Sequence, residues 1–238
     1  MPCRHDFSPS KVPQYEACKR CGSYHSLSAA DPATIYTDDY WSSNREHSTL
    51  EDQVYNVNVH QEHGVTKNDF VRHLIWTQDR SSALEIGCAP GILLRQLVEL
   101  SGFESVTGIE AHKGYADGIR KIAGDKPALM FGLFPETLDG KPEAHSLVVA
   151  LDVFEHSHDP AGFISACSRT LKQDGQLLLM LPLASADLKP DSRFFYPKEH
   201  VWIHSPKHMI TLLEDAGFTG IKFFIWTTGH ETVSARKL

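Results

Sequence analysis

The first 25 residues contain side chains of the types that hold a zinc ion. Cys18 and Cys21 are separated by two residues, a spacing with which one tight turn points both thiolates at the same metal. Cys3 and His5 would contribute two further ligands from the facing arm of a hairpin. Zinc in structural sites prefers four nitrogen and sulfur ligands in a tetrahedron. The pattern therefore predicts a structural metal site, which we expect to hold zinc.

Other interpretations of this segment stay open. His25 competes with His5 as the fourth ligand. The segment could also be a disordered tail with incidental cysteines, or two cysteines could form a disulfide, which a reducing compartment disfavours. Three of the five cysteines lie here, which favours a metal. Because so short a segment cannot bury enough apolar surface to fold alone, a bound metal would supply its stability.

A second group of residues is suited to approach a nucleotide-like ligand. An apolar run ends at Glu85-Ile86, and the turn Gly87-Cys88-Ala89-Pro90-Gly91 leads into an apolar-periodic segment. Small residues in such a turn let backbone N–H groups come close to a ligand. Ile92 stands where dinucleotide dehydrogenases need a third glycine, and the Gly-Lys-Ser/Thr of a phosphate-binding loop is absent. The turn therefore favours neither NAD nor ATP.

Alternating strands and helices must position this turn. We predict strands over 83–86, 106–110, 128–134, 146–152, 176–181, 219–226 and 231–235, and helices over 68–76, 92–98, 113–123, 160–171 and 206–216. The link between the last two strands is too short for a parallel crossover, so these strands should be antiparallel. The alternation predicts an α/β, Rossmann-like, doubly wound fold with a mostly parallel sheet. In such folds an acid in the position of Glu110 binds ribose hydroxyls, although a solvated strand-end acid is the alternative.

The order of these motifs resembles that of class I S-adenosylmethionine (SAM) methyltransferases. Glu85 to Gly91 is similar to their motif I, D/E-x-G-x-G-x-G, with Ala89 at the middle glycine. Asp152-Val153-Phe154-Glu155-His156 resembles the D-x-x-E-H segment of small-molecule members, including ubiquinone-type O-methyltransferases. The resemblance covers roughly residues 80–238. It implies a seven-stranded sheet with one antiparallel strand and a SAM cofactor, beside the small N-terminal zinc-binding segment.

The resemblance also implies which residues hold SAM. The glycine-rich turn would approach the methionine part, Glu110 would bind the ribose, and Asp152 would lie near the methionine or the reacting methyl. Residues around the end of the third strand would surround the adenine. The implied set is Glu85, Gly87, Cys88, Ala89, Gly91, Glu110, Ala111, Phe134, Asp152 and Val153.

Residues 191–205 are expected to face the acceptor. Glu199-His200 precedes a helix there and resembles the Y-x-E-H-x-x-Y-F-S segment of zinc-containing sugar C-methyltransferases, whose Glu/His pair serves proton abstraction; the metal spacing differs. The resemblance implies that His200 is the general base and that Glu199 orients or assists it. The pKa of free histidine, roughly 6.5, suits this role. Alternatives are His204 or His156 as the base, or a purely structural His200.

Residues 26–80 form a second region that could contact the acceptor. They combine aromatic side chains with histidines: Tyr36, Tyr40, Trp41, Tyr55, His47, His60 and His63. In methyltransferases the segment before motif I often forms a lid, and a helical cap at the domain edge is the alternative. We accordingly divide the chain into a zinc-binding segment (1–30), a helical, aromatic cap or lid (31–80) and a SAM-binding methyltransferase domain (81–238).

Composition limits the remaining classes. With 23 basic and 30 acidic residues the net charge is −7, which disfavours nucleic acid as a partner. The longest apolar run is far short of a membrane span, so we expect a cytoplasmic protein without a membrane partner. A homodimer is left open.

The sequence thus predicts SAM-dependent methyl transfer to oxygen or carbon of a small molecule, such as a carbohydrate or a phenol. Three alternatives remain: a non-catalytic, zinc-containing SAM-fold binding protein, a methyltransferase acting on protein or RNA, and a nucleotide-dependent oxidoreductase.

Overall fold

The computed structural model describes residues 3–35, 61–62, 65–138, 144–185, 188–227 and 229–238. Its strands are β1 (Phe7–Pro9), β2 (Tyr15–Cys18), β3 (Tyr24–Ser26), β4 (Gln61–Glu62), β5 (Val65–Thr66), β6 (Ser82–Ile86), β7 (Ser105–Glu110), β8 (Ala128–Phe131), β9 (His145–Leu151), β10 (Leu171–Pro182), β11 (Trp202–Ile203), β12 (Phe218–Thr227) and β13 (His230–Lys237). Its α-helices are α1 (Pro32–Ile35), α2 (Lys67–His73), α3 (Ile92–Glu99), α4 (Ala116–Ala123), α5 (Pro160–Thr170) and α6 (Pro206–Asp215). None of the helices in these ranges is long and apolar enough to cross a membrane.

The central sheet has seven strands in the order β12-β13-β10-β9-β6-β7-β8. Strand β13 runs antiparallel to both neighbours, and β6 to β10 pair in parallel. The predicted α/β fold with one antiparallel strand is therefore confirmed. Because β6, β7 and β9 are parallel neighbours, their carboxyl ends meet at one edge, where α/β folds bind ligands.

Helices cover both faces of this sheet. Alternate residues of β10 belong to different layers: Leu177 and Leu179 pack with α5 and α6, whereas Leu178 and Met180 pack with α3 and α4. A strand that is buried on both faces has a continuous run of apolar residues in its sequence. In β10 this run extends from residue 177 to 181. The two apolar layers hold the strand ends rigidly in place.

A second sheet joins the N-terminus to a distant part of the chain. Its strand order is β1-β2-β3-β11. Along the sequence, β11 comes after the central strand β10 and before helix α6. Trp202 pairs with His25, and Ile203 pairs with Tyr24. The sequence predicted a small N-terminal hairpin but gave no sign of this pairing, because β11 has only two residues.

Several element boundaries differ from expectation. Strand β10 begins at Leu171 and not at residue 176, with an irregularity between Leu171 and Gln176 where Asp174 has φ 60°. Helix α2 ends at His73, three residues before the predicted end. Strand β8 ends at Phe131, three residues before the predicted end, and helix α4 begins at Ala116, three residues after the predicted start.

Candidate functional site

The glycine-rich turn follows β6 and leads into α3. Gly87 has φ 71° and Gly91 has φ 99°, a left-handed conformation that side chains rarely tolerate. A Cβ on Gly87 would overlap Cγ2 of Val153, and one on Gly91 would lie 3.0 Å from the carbonyl oxygen of Ile119. The backbone therefore requires glycine at both positions, and the turn presents little more than main chain to a ligand.

Glu110 ends β7 and fastens this turn. The N–H of Ala89 donates to its Oε2 at 3.2 Å, and the N–H of His112 donates to its Oε1 at 3.1 Å. Burial raises the pKa of Glu110, and these N–H groups partly oppose the rise. A carboxylate has about four lone-pair sites, so Glu110 can accept further hydrogen bonds, as ribose hydroxyls would require.

Glu85 is buried near the end of β6. Its Oε2 has no hydrogen-bond partner among the described residues. Burial, with the nearby charge of Glu110 in second place, raises the pKa of this carboxyl group. A buried acceptor that lacks a donor fits a ligand that brings one to this strand end.

Asp152 follows β9 and has φ 55°. Lys67 from α2 bonds to its Oδ2, and Nε2 of His230 from β13 lies 2.6 Å from its Oδ1. Burial alone would raise the pKa of Asp152, but Lys67 and His230 hold it well below the usual range. Sequence reasoning missed both partners, because they are distant along the chain and belong to no motif.

The remaining residues of the implied SAM set lie beside these strand ends. Cys88 is buried, and Gly108 leaves room for its Sγ, which a Cβ there would approach to 2.7 Å. Phe134 packs edge-on against Phe163, with ring centroids 4.7 Å apart. Ala111 directly follows Glu110. The fold thus brings together acids, glycines and apolar side chains that are suited to a nucleoside with a charged tail.

A second cluster adjoins this edge and contains His200. The Nδ1–H of His200 donates to the carbonyl oxygen of Phe194 at 2.7 Å, which leaves Nε2 as the acceptor. Nε2 lies 4.0 Å from Oε1 of Glu155, a buried carboxylate. The ring of His156 stands perpendicular to that of His200 at 4.9 Å. Ligand-type atoms of these three residues lie within 4.8 Å of one another, so the cluster could also hold a divalent cation.

Glu155 is the functional candidate that sequence reasoning did not assign. It stands in the D-x-x-E-H segment, so the signal was present, but only the fold places it opposite His200. Glu199 is buried as well and precedes His200. His204 is fully buried between the rings of Phe154 and Trp202, and burial lowers its pKa, so it has no route to an acceptor.

The N-terminal hairpin brings together the four residues proposed as metal ligands. The ligand atoms of Cys3, His5, Cys18 and Cys21 lie within 4.8 Å of one another, and Nδ1 of His5 is 3.7 Å from Sγ of Cys21. Tetrahedral zinc would separate such atoms by about 3.5 Å. The competing residue, His25, instead lies 3.1 Å from a carboxylate oxygen of Glu16.

The environment of these thiols differs from one to the next. Burial raises the pKa of Cys3 to about 12, with Cys21 and Cys18 adding to the rise. The pKa of Cys18 is lowered to about 6, because backbone hydrogen bonds near Asp6 and Cys21 and one from His5 outweigh its burial. Thiolate is the form that binds metal, and Cys18 reaches it more easily than Cys3.

The aromatic residues of the predicted lid, from Tyr36 to His60, and His63 lie outside the described residues. The lid therefore stays a prediction.

Comparisons with known proteins agree with this arrangement. A family model described as a methyltransferase domain matches residues 60–222. A ubiquinone biosynthesis O-methyltransferase of Pseudomonas paraeruginosa is 28% identical over 122 residues, which are 44% of this chain and 47% of that protein. One from Photobacterium profundum is 26% identical over 165 residues, 59% of this chain and 66% of that protein. The chain thus spans about half the length of the first of these relatives.

Solved structures share the fold. An O-methyltransferase family protein from Burkholderia thailandensis superposes with a TM-score of 0.58 at 14% identity, over 71% of this chain and 55% of that one. A candidate methyltransferase from Bacillus halodurans superposes with a TM-score of 0.56 at 16% identity, over 72% of this chain and 98% of that one. At these identities the likeness concerns the fold alone.

Proposed function

Because the chain belongs to the methyltransferase domain family, whose model covers residues 60–222, we propose that this SAM-dependent methyltransferase methylates a hydroxyl group of a small molecule. The observation that carries the proposal is the pair formed by Glu155 and His200, whose Oε1 and Nε2 atoms are 4.0 Å apart; Glu155 follows Asp152 by three residues at the carboxyl edge of the sheet. A general base at this place suits a methyl acceptor, such as a hydroxyl group, that must lose a proton. The curated relatives, which methylate oxygen by name, support the same choice.

The residues that would hold SAM are those at the four strand ends. Gly87 and Gly91 let the main chain approach the methionine part, Glu110 accepts from the ribose hydroxyls, and Phe134 lies beside the adenine. When bound, SAM supplies a methyl carbon on a sulfonium, which is a good leaving group. The protein therefore mainly has to align the acceptor oxygen with that carbon and remove its proton.

His200 is proposed as the general base. Its Nδ1–H is held by Phe194, so Nε2 keeps a lone pair for the acceptor proton. Once Nε2 is protonated, the buried carboxylate of Glu155 stabilises the positive imidazolium. Glu199, adjacent and buried, remains in the proposal as an assisting acid. The proton passes from the acceptor oxygen to Nε2 as the oxygen gains the methyl group.

A second means of activation is favoured by one specific observation. Two histidines and one carboxylate within 4.8 Å are a ligand set that suits several divalent metals. A cation there would lower the pKa of an acceptor hydroxyl without a protein base. The metal content of the protein separates the two possibilities.

The acceptor is proposed to be a phenol or a carbohydrate rather than a macromolecule. A net charge of −7 gives little attraction for nucleic acid, and the aromatic ring of Tyr196 lies 5.7 Å from that of His200. Flat or hydroxyl-rich small molecules can bind such side chains by stacking and hydrogen bonding.

We also propose that Cys3, His5, Cys18 and Cys21 hold a structural zinc ion. The support is the donor set, two thiolates from one turn with a histidine and a third thiolate from the segment before β1, and the close approach of the four ligand atoms.

The experiment that tests the function uses SAM labelled in its methyl group. The purified protein is incubated with a cell extract separated into small-molecule and macromolecular fractions, and the label is followed by mass spectrometry. We expect label in a small hydroxyl compound, and much less of it after Glu110→Ala at the same concentration of SAM. Label confined to protein or RNA, or found only on carbon or nitrogen, would refute the proposal. Binding of SAM without any transfer would favour a non-catalytic protein.

A further inference from the structure

The backbone on both sides of His200 is attached to the N-terminus. We call residues 3–26 the metal-binding hairpin and residues 194–208 the His200 segment. The N–H of Ser26 donates to the carbonyl oxygen of Val201 at 2.9 Å, and β3 pairs with β11. Just beyond the hairpin, the N–H of Ala30 donates to the carbonyl oxygen of Lys198 at 2.9 Å. Main-chain bonds thus flank His200 from both directions.

Tyr15 reaches His200 itself. Its hydroxyl donates to the carbonyl oxygen of His200 at 2.8 Å, and its ring packs edge-on against Phe195 at 5.2 Å. Burial raises the pKa of Tyr15, so the hydroxyl keeps its proton and remains a donor. A buried hydrogen bond across 185 residues of sequence fixes the backbone of the proposed base.

Ser23 connects a metal-ligand cysteine with the end of the same segment. It is fully buried, and its Oγ accepts from the N–H of Ser205 at 2.9 Å. The same oxygen lies 3.4 Å from Sγ of Cys21 and 3.3 Å from Nδ1 of His208. Ser205 caps α6, so the hairpin also contacts the residue at which that helix begins.

A row of aromatic rings leads from the metal site to Glu155. The ring of His5 lies 5.1 Å from that of Trp202, which stacks on His204 at 5.6 Å. His204 stacks on Phe154 at 4.8 Å, and Phe154 directly precedes Glu155. Both members of the Glu155–His200 pair are therefore supported from the hairpin.

We propose that the metal-binding hairpin is a positioning element for the acceptor side of the site, and that Tyr15 is a positioning residue for His200. The proposal rests on the proposed function and on the proposed zinc. The hairpin has three short strands, and it contributes Val12 and Tyr15 to a small buried cluster with Ile203 of the His200 segment, which is too little for the hairpin to fold without its metal. The residues assigned to SAM lie at or just after the carboxyl ends of β6, β7, β8 and β9, strands with which the hairpin does not pair. Metal loss should thus release His200 and leave the cofactor site intact.

Hydrogen exchange on the full chain tests this coupling without an acceptor. After removal of the metal with a chelator, we expect amides of residues 198–205 to exchange about tenfold faster or more, while those of β6 and β9 stay unchanged. The affinity for S-adenosylhomocysteine should change by less than about twofold. Faster exchange in β2 and β3 with unchanged exchange at 198–205 would overturn the proposal. So would a purified protein that binds no metal.

A conservative variant covers the case in which metal removal unfolds the whole chain. Tyr15→Phe deletes only the hydroxyl, and Tyr24→Phe is its control, because the ring of Tyr24 also packs against Phe195 at 5.2 Å. No hydrogen bond joins the Tyr24 hydroxyl to the described residues of the His200 segment. With the acceptor found by labelling, we expect Tyr15→Phe to lower kcat about tenfold at an unchanged KM for SAM, and Tyr24→Phe to change it little.

Equal kcat in the two tyrosine variants would overturn the role of Tyr15. If labelling finds no acceptor, the proposed function fails, whereas the exchange and binding measurements still decide whether the hairpin and the His200 segment are coupled.

Discussion

Nε2 of His230 lies 2.6 Å from Oδ1 of Asp152, and Lys67 bonds to the other oxygen of the same carboxylate. Three elements, α2, β13 and the end of β9, thereby meet at one residue in a left-handed conformation. Asp152 without these partners would be a half-buried acid in a strained conformation. It follows β9 at the carboxyl edge of the sheet, so the trio joins three elements beside the residues proposed to hold SAM.

The charge of Asp152 makes stability depend on pH. Because Lys67 and His230 depress its pKa in the folded protein, the ionised form stabilises the native state at pH values above the unfolded pKa, about 3.9. This contribution is lost as the pH falls through the folded value. We expect Lys67→Met to lower the free energy of unfolding at pH 7 by about 1 kcal/mol, since the pair is partly exposed.

The measurement is urea denaturation at several pH values. The difference between Lys67→Met and the unmodified protein should shrink below about pH 4. Arg95→Met, which removes a surface partner of Glu99 on α3, is the control and should have little effect at any pH. A difference that stays constant down to acid pH would show that Lys67 acts by packing and not by charge.

Glu110 should determine the affinity for the cofactor. Glu110→Ala removes an acceptor that ties down the N–H groups of Ala89 and His112 and that is assigned to the ribose. We expect SAM binding, measured by calorimetry, to weaken about tenfold or more, because a hydrogen bond to a charged group contributes about 1.5–3 kcal/mol. Glu104→Ala, an exposed acid just before β7, is the matched control. Equal affinities in the two variants would remove Glu110 from the site.

The fold was predictable because local patterns determine it, and the same patterns mark the residues proposed for the cofactor. Each of these patterns involves residues that are close together in the sequence. They are the strand sequence at 146–151, the glycines at 87 and 91 and the acid at 110. The contacts of Lys67, His230 and Tyr15 were not predictable from the sequence. Each of them joins segments that are far apart in the chain through a single side chain. The pairing of β3 with the two-residue strand β11 is set by the surrounding packing, and no periodicity marks so short a strand.

The contact between Gly87 and Val153 can be tested by a pair of substitutions. Gly87→Ala places a Cβ against Cγ2 of Val153 and also forces alanine to φ 71°, so we expect a loss of about 1–3 kcal/mol of stability and weaker SAM binding. Adding Val153→Ala removes the overlap but leaves the backbone strain. Thermal denaturation should therefore show partial recovery in the double variant, after allowance for Val153→Ala alone. No recovery would mean that strain alone explains the loss.

His200 and Glu155 should affect turnover and not cofactor binding. We expect His200→Ala to lower kcat by about 10²–10⁴-fold, the usual contribution of a general base, with the affinity for SAM unchanged. Glu155→Gln should lower kcat in the same direction, because the protonated imidazole loses its nearby negative charge. His73→Ala, on the exposed end of α2, is the histidine control. Full activity in His200→Ala would exclude His200 as the base.

Metal content distinguishes the base from a bound cation at the same residues. If His200 acts as a base, the purified protein holds one metal ion per chain, at the hairpin, and Glu155→Gln leaves that content at one. Cys18→Ser should then reduce it towards zero, because it removes a thiolate from the only other ligand cluster found among the described residues. The opposite result would be a second metal ion per chain that is lost in Glu155→Gln and kept in Cys18→Ser. One carboxylate and two imidazoles would then be metal ligands, and the bound cation would activate the acceptor as a Lewis acid in place of the base. Elemental analysis of the three proteins, prepared in parallel without added metal and again after loading with zinc or manganese, measures the difference directly.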